Sequence, residues 1–186
     1  MADPLGTRVI PVVGGSVVHI GRDLLRKIPA FLMGEHGSAE SRKASVFVVV
    51  SDETVFRLYG GTLIDAFVGA GCTKDGEADV AGKRVICVTV PAGESSKSRE
   101  MKARIEDAMI AAKCKRDTVV VALGGGVVGD LSGFCAATYM RGVPVVQIPT
   151  SVMAMVTPSR ESFASACVPS ACGGAGGLVS RWQDRD

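Results

Sequence analysis

The chain has 186 residues, 47% hydrophobic and 22% charged, with a formal net charge of +2. That is enough for one domain with a packed core, too evenly charged for a nucleic-acid surface, and without an apolar run near the roughly 20 residues of a membrane span. Met1 to Thr7 match neither a signal peptide nor an Arg/Ser-rich transit segment, so a cytoplasmic protein is expected.

Arg8 to Val13 and Ser16 to Ile20 are apolar runs around Gly14-Gly15, the pattern of a tight β-hairpin. From Arg22 to Leu32, Leu24, Leu25, Ile28, Phe31 and Leu32 recur with a helical period, and Pro29 is expected to kink or restart that helix. Residues 34–43 read as a surface loop. Ser45 to Val50 is a continuous Val/Phe strand ending at Asp52. A helix follows to about Gly71, with Phe56, Tyr59, Leu63 and Phe67 on one face. Gly60-Gly61 weakens its middle by ~1 kcal/mol per glycine.

After a polar loop over residues 72–83, Arg84 to Val90 reads as the next strand. Pro91 to Ser96 is a turn, and Lys97 to Lys113 a helix capped by Ser95 or Ser96. Val119 to Leu123 is a buried strand, followed by Gly124-Gly125-Gly126, a small-residue helix from Val127 and a strand from Val143 to Ile148. Strand and helix alternate to residue 150, which predicts a parallel α/β sheet with ligands at the carboxyl ends of its strands. The domain is expected over residues 1–156. Residues 157–186, rich in Ser, Ala and Gly without a period, read as a disordered tail.

The six cysteines are scattered, without C-x-x-C or a nearby histidine, and read as reduced thiols. His19 reads as a strand-face histidine and His36 as a loop histidine.

The glycine run carries the chemistry. Bare amides at the start of a helix seat anions, and three glycines remove the side chains that would hold a pyrophosphate away. The structural alternative is a turn needed only for helix–strand packing. Gly124 to Gly129 fits G-x-G-x-x-G, but after a late strand and without a ribose-binding acid some 20 residues on. Asp130 is either a helix-start charge or an acceptor for a sugar or nicotinamide. Asp52 either caps the next helix or holds a ribose. Glu94 and Lys97 belong either to a well-capped turn or to a cofactor edge. Arg141 is either a surface cation at a helix end or a clamp for phosphate or carboxylate. Thr150 and Ser151 offer hydroxyls beside the loop.

Taken together, V-V-S-D at 49–52, P-A-G-E-S-S-K at 91–97, L-G-G-G-V-V-G-D at 123–130, A-A-T-Y-M-R-G at 136–142 and Q-I-P-T-S-V-M-A-M-V at 147–156 resemble the 3-dehydroquinate synthases, most closely the arom-type eukaryotic form. The resemblance implies a Rossmann-like NAD-binding α/β domain with an N-terminal β-hairpin. It implies conversion of 3-deoxy-arabino-heptulosonate 7-phosphate to 3-dehydroquinate and phosphate with NAD and a divalent metal, usually zinc. Cofactor contacts carried over are Asp52, Thr54, Glu94, Ser95, Ser96, Lys97, Gly124, Gly125, Gly126, Val127, Asp130, Thr150 and Ser151, and Arg141 is the substrate contact. No catalytic residue and no metal ligand is carried over. The family continues after A-M-V with D-S-S-I-G-G-K-T, whereas Val156 is followed here by Thr157-Pro158-Ser159-Arg160. The family's helical C-terminal domain, which supplies the metal ligands, is therefore expected to be missing, and the chain alone inactive or nearly so. A homodimer stays open. The alternatives are a glycerol-type polyol dehydrogenase of the same superfamily, or a non-catalytic nucleotide-binding fragment.

Overall fold

The computed structural model describes residues 8–11, 17–34, 37–74, 82–156 and 177–181. Its centre is β3 (Val46–Asp52), whose V-F-V-V-V-S run is buried on both faces. Such runs belong in the middle of a parallel sheet covered on both sides. β3 pairs in parallel with β5 (Arg84–Val90) on one edge and β6 (Val119–Gly124) on the other. Outside these lie β4 (Thr73–Lys74), next to β5, and β7 (Val145–Pro149), next to β6, both parallel.

The chain runs from β3 outward to β5, then crosses back over β3 to β6. That reversal places the covering helices on opposite faces, because parallel crossovers are right-handed. On one face α1 (Leu24–Met33) and α4 (Gly61–Gly69) bury Leu24, Ile28, Leu63 and Phe67 against Phe47, Val49, Val121 and Leu123. On the other, α5 (Arg99–Ala111) and α6 (Gly126–Thr138) bury Ile105, Met109, Val128 and Cys135 against Val48, Val50, Val120 and Ala122. Alternate residues of each strand feed alternate cores, the period-2 geometry of a pleated strand.

The hairpin is present: β1 (Arg8–Pro11) pairs antiparallel with β2 (Val17–Gly21). Its turn lies outside the described residues, as does His36. His19 is buried, with its ring edge-on to Phe31 at 5.0 Å.

Several expectations need correction. Helix α1 runs through Pro29, which is buried along with Leu25, Ile28 and Leu32 of the same helix. Packing against the sheet sustains the helix where the missing N–H would weaken it. Within 34–43 a short helix, α2 (Ala39–Lys43), forms because the Ser38 hydroxyl accepts the Ser41 N–H at 2.8 Å. The helix after β3 continues through Gly60-Gly61 as expected, but not as a uniform α-helix. It passes from α3 (Glu53–Val55) through a π-helical turn at Phe56–Gly60 into α4. Gly60 lies under the Phe56 ring, where a β-carbon would stand 2.4 Å from Cδ2.

Ser98, not Ser95 or Ser96, caps α5, accepting the Met101 N–H at 3.2 Å. Within the expected tail, residues 177–181 form β8 (Gly177–Arg181), antiparallel to both β2 and β7. A short segment can fill a slot whose pairing partners already exist, a tertiary effect with no periodic signature. Residues 157–176 and 182–186 lie outside the described residues. The final sheet order is β1-β2-β8-β7-β6-β3-β5-β4.

Candidate functional site

The order reversal makes β3 and β6 the topological switch point, and the crevice at the carboxyl ends of such strands is where α/β sheets bind ligands. Those ends are aligned by register: Asp52 opposite Val90, Ser51 opposite Leu123, Gly124 opposite Pro149. The loops that follow therefore share one edge, bringing together Asp52, Thr54, Glu94, Ser95, Lys97, the glycine loop, Asp130, Thr150 and Ser151.

The glycines have different physical reasons. Gly124 is buried, and a β-carbon there would lie 2.7 Å from Val128 Cβ, so helix packing demands it. Gly129 packs on β7, where the same atom would stand 2.6 Å from Gln147 Oε1. Gly125 is the N-cap of α6 and neighbours Ser151, whose Oγ would be 3.5 Å from a β-carbon. At Gly126 a β-carbon meets nothing within 4 Å. Packing thus accounts for Gly124 and Gly129 and leaves Gly126 without such a reason.

Gly129 N–H donates to Gly125 O at 3.0 Å, closing the first turn of α6. The amides of Gly126, Val127 and Val128 precede that ladder, and no side chain caps them. This is the arrangement that accepts a diphosphate. The loop is held from behind: Thr150 N–H donates to Gly124 O at 2.9 Å. Ser51 Oγ donates to Leu123 O at 2.7 Å. From sequence Ser51 entered only as part of the V-V-S-D strand end, and a hydroxyl ending an otherwise apolar strand is the signal for its tie to Leu123.

The carboxylates flank this seat. Asp52 Oδ1 accepts the Val55 N–H at 2.9 Å, capping α3. Its half-buried carboxylate has a second oxygen for another donor. Lys97 Nζ stands 2.9 Å from Glu94 Oε1 and 3.0 Å from Asp130 Oδ2. Its hydrogen bonds to Glu94, then to Asp130, raise the ammonium above its ordinary value. An open groove of about 270 Å³ continues between α5 and α6, past Leu131 and Phe134.

Ser96 is buried, and its hydroxyl donates to Pro91 O. That side chain therefore holds the turn. Ser151 Oγ accepts the Ala154 N–H at 3.3 Å, capping α7 (Val152–Val156).

Arg141 is not brought to this edge. It lies beyond the far end of α6, about 20 Å of helix away from the glycine loop. It is exposed, with Met140 and Arg141 at φ 49° and 78°, left-handed values that cost strain in residues with a β-carbon. Among the described residues no three His, Cys, Asp or Glu side chains gather as a metal site. Cys72, Cys87, Cys114 and Cys135 form no disulfide.

The fold and this edge define a Rossmann-like α/β domain with an uncapped helix N-terminus at its switch point. The family model for the 3-dehydroquinate synthase N-terminal domain matches residues 87–160. The pentafunctional AROM polypeptide of Eremothecium gossypii is 39% identical over 179 residues, covering 96% of this chain and 10% of the relative. That of Schizosaccharomyces japonicus is 38% identical over 150 residues, covering 81% and 9%. The chain thus spans about a tenth of the curated relatives it matches. Among solved structures, 2-epi-5-epi-valiolone synthase from Streptomyces hygroscopicus with NAD+ and Zn2+ bound aligns at TM-score 0.53 and 30% identity, covering 69% of this chain and 33% of that one. A 2-deoxy-scyllo-inosose synthase shares the fold at TM-score 0.57 and 21% identity, covering 72% and 32%. The chain carries a 3-dehydroquinate synthase-like N-terminal domain.

Proposed function

We propose that this chain supplies the NAD-holding part of a 3-dehydroquinate synthase, a cytoplasmic carbon–oxygen lyase releasing phosphate from a seven-carbon sugar acid phosphate. The observation that carries the reading is the uncapped first turn of α6, opening at Gly126 where no side chain intrudes. The amides of Gly126, Val127 and Val128 would donate to the diphosphate, with Gly125 giving the backbone its close approach. Asp52 and Glu94 are acceptors suited to ribose hydroxyls, and Thr54 and Ser95 are exposed beside them. Asp130, at the start of the second turn of α6, faces the same opening and suits the nicotinamide end. Thr150 and Ser151 wall the opposite side.

When bound, NAD would supply the hydride acceptor for the carbon bearing the substrate hydroxyl and the donor that returns the hydride after phosphate has left. The residues here bind and orient the dinucleotide; among the described residues they do not form a metal site. Arg141, about 20 Å of helix away, is not part of this edge within one copy. The isolated chain is therefore expected to bind NAD without turnover.

Titrating NAD into the 186-residue chain while following its melting tests the reading. Saturable stabilisation, about 2.7 kcal/mol at a hundredfold excess over Kd, supports it; an unmoved melt at millimolar NAD contradicts it. Phosphate release from the heptulosonate with zinc and NAD would overturn the expectation of no turnover.

A further inference from the structure

Two carboxylates sit beside a seat built for an anion, and one ammonium touches both. Glu94 belongs to the turn after β5, Asp130 to the first turns of α6. Lys97 Nζ reaches them at 2.9 and 3.0 Å. We propose that Lys97 is a positioning residue: it latches the 91–98 turn to α6 and cancels the carboxylate charge that would otherwise repel the diphosphate, rather than serving chiefly as a contact to the dinucleotide itself. This rests on the NAD-binding reading.

The electrostatics follow from proximity. Removing the ammonium leaves two uncompensated carboxylates on the edge that also carries the α6 N-terminus, and like charge there disfavours an arriving doubly negative group, the more so at low salt. The geometry of the turn supports a latch. Gly93 has φ 108°, a left-handed value open to glycine, and Ser96 ties back to Pro91. Thus the 94–96 turn is anchored at its base, while the Lys97–Asp130 pair is the ion pair that ties it to α6. A bridging cation also spreads its charge over both partners, so neither carboxylate is left to fold back onto the free amides of Gly126 and Val127.

The test compares wild type with Lys97→Met, Lys97→Arg and Lys97→Met/Glu94→Gln, using calorimetric NAD titration at about 50 mM and about 500 mM NaCl, on either side of the ionic strength at which surface charges are screened. Lys97→Met is expected to weaken NAD at least tenfold at low salt and to regain affinity at high salt. Lys97→Arg keeps affinity within about threefold, and adding Glu94→Gln to Lys97→Met restores most of the loss. A Lys97→Met defect that neither salt nor Glu94→Gln relieves would overturn the proposal and make Lys97 a direct ligand. Should wild type bind no NAD, the NAD-binding reading falls on its own. The latch is then decided by amide hydrogen exchange over residues 91–98: faster exchange in Lys97→Met and recovery in Lys97→Arg uphold it, and equal rates refute it.

Discussion

Ser51 holds Leu123. Its hydroxyl, fully buried, donates to the Leu123 carbonyl at 2.7 Å and so ties the carboxyl end of β3 to the last apolar residue before the glycine loop. The two strands are those that flank the switch point. Ser51→Ala leaves that carbonyl short of a buried partner and is expected to cost about 1–2 kcal/mol. Urea unfolding of the two proteins checks it; an unchanged midpoint would show the bond to be dispensable.

Gly124 answers to packing. A methyl there would meet Val128 Cβ and Cγ2 at 2.7 Å, and a β-branched side chain has little freedom to withdraw. Gly124→Ala should destabilise by about 1–3 kcal/mol. Adding Val128→Ala should recover part of that loss, as a double-mutant cycle would show. Additive costs would exclude the contact as the cause.

Ser132 is the reverse case. It is fully buried in α6, and its hydroxyl meets no partner among the described residues. Ser132→Ala removes an unsatisfied donor and adds helix propensity, so stability should hold or rise by about 1 kcal/mol. A clear fall in melting temperature would mean the hydroxyl has a partner.

Alkaline pH should destabilise the fold through its buried thiols. Burial pushes the Cys135 thiol up to about 12 from an ordinary 9.0, and Cys114 moves in the same direction for the same reason. The unfolded thiols ionise first, so their contribution is intact below pH 9.0 and is lost as pH rises from there toward 12. Lys97, also raised, keeps its contribution below 10.5 and loses it only above. Between pH 8 and about 10.5, the melting temperature should fall less in Cys135→Ala than in wild type. Equal falls would assign the alkaline limb to other groups.

Much of this architecture was readable because the decisive signals are local. The V-F-V-V-V run announces a strand buried on both faces, and the glycine run after V-V-V-A-L announces an unobstructed turn. What escaped was set by partners distant in sequence. Two serines were plausible caps for α5, but the Ser96 hydroxyl is drawn to Pro91, which leaves Ser98 to do the capping. Pro29 breaks helices in isolation and survives here because the helix face around it is buried. Strand β8 exists by pairing with β2 and β7, and Gly177 to Arg181 has no pattern that declares it. At the site, the residue types were legible, whereas the sharing of one ammonium by Glu94 and Asp130 depends on how α6 is placed against the 94–96 turn. The distance of Arg141 from the loop was hidden for the same reason: a helix of 13 residues separates motifs that sequence prints side by side.

Gly126 provides the most direct test. Its surroundings leave room for a methyl, so Gly126→Ala should melt at the wild-type temperature or higher. The same methyl would stand between the free amides and a diphosphate. NAD titration should therefore show affinity reduced at least tenfold, about 1.4 kcal/mol, in a protein that is otherwise as stable as its parent. Wild-type NAD affinity in a well-folded Gly126→Ala protein would contradict the claim that these amides are the dinucleotide's seat.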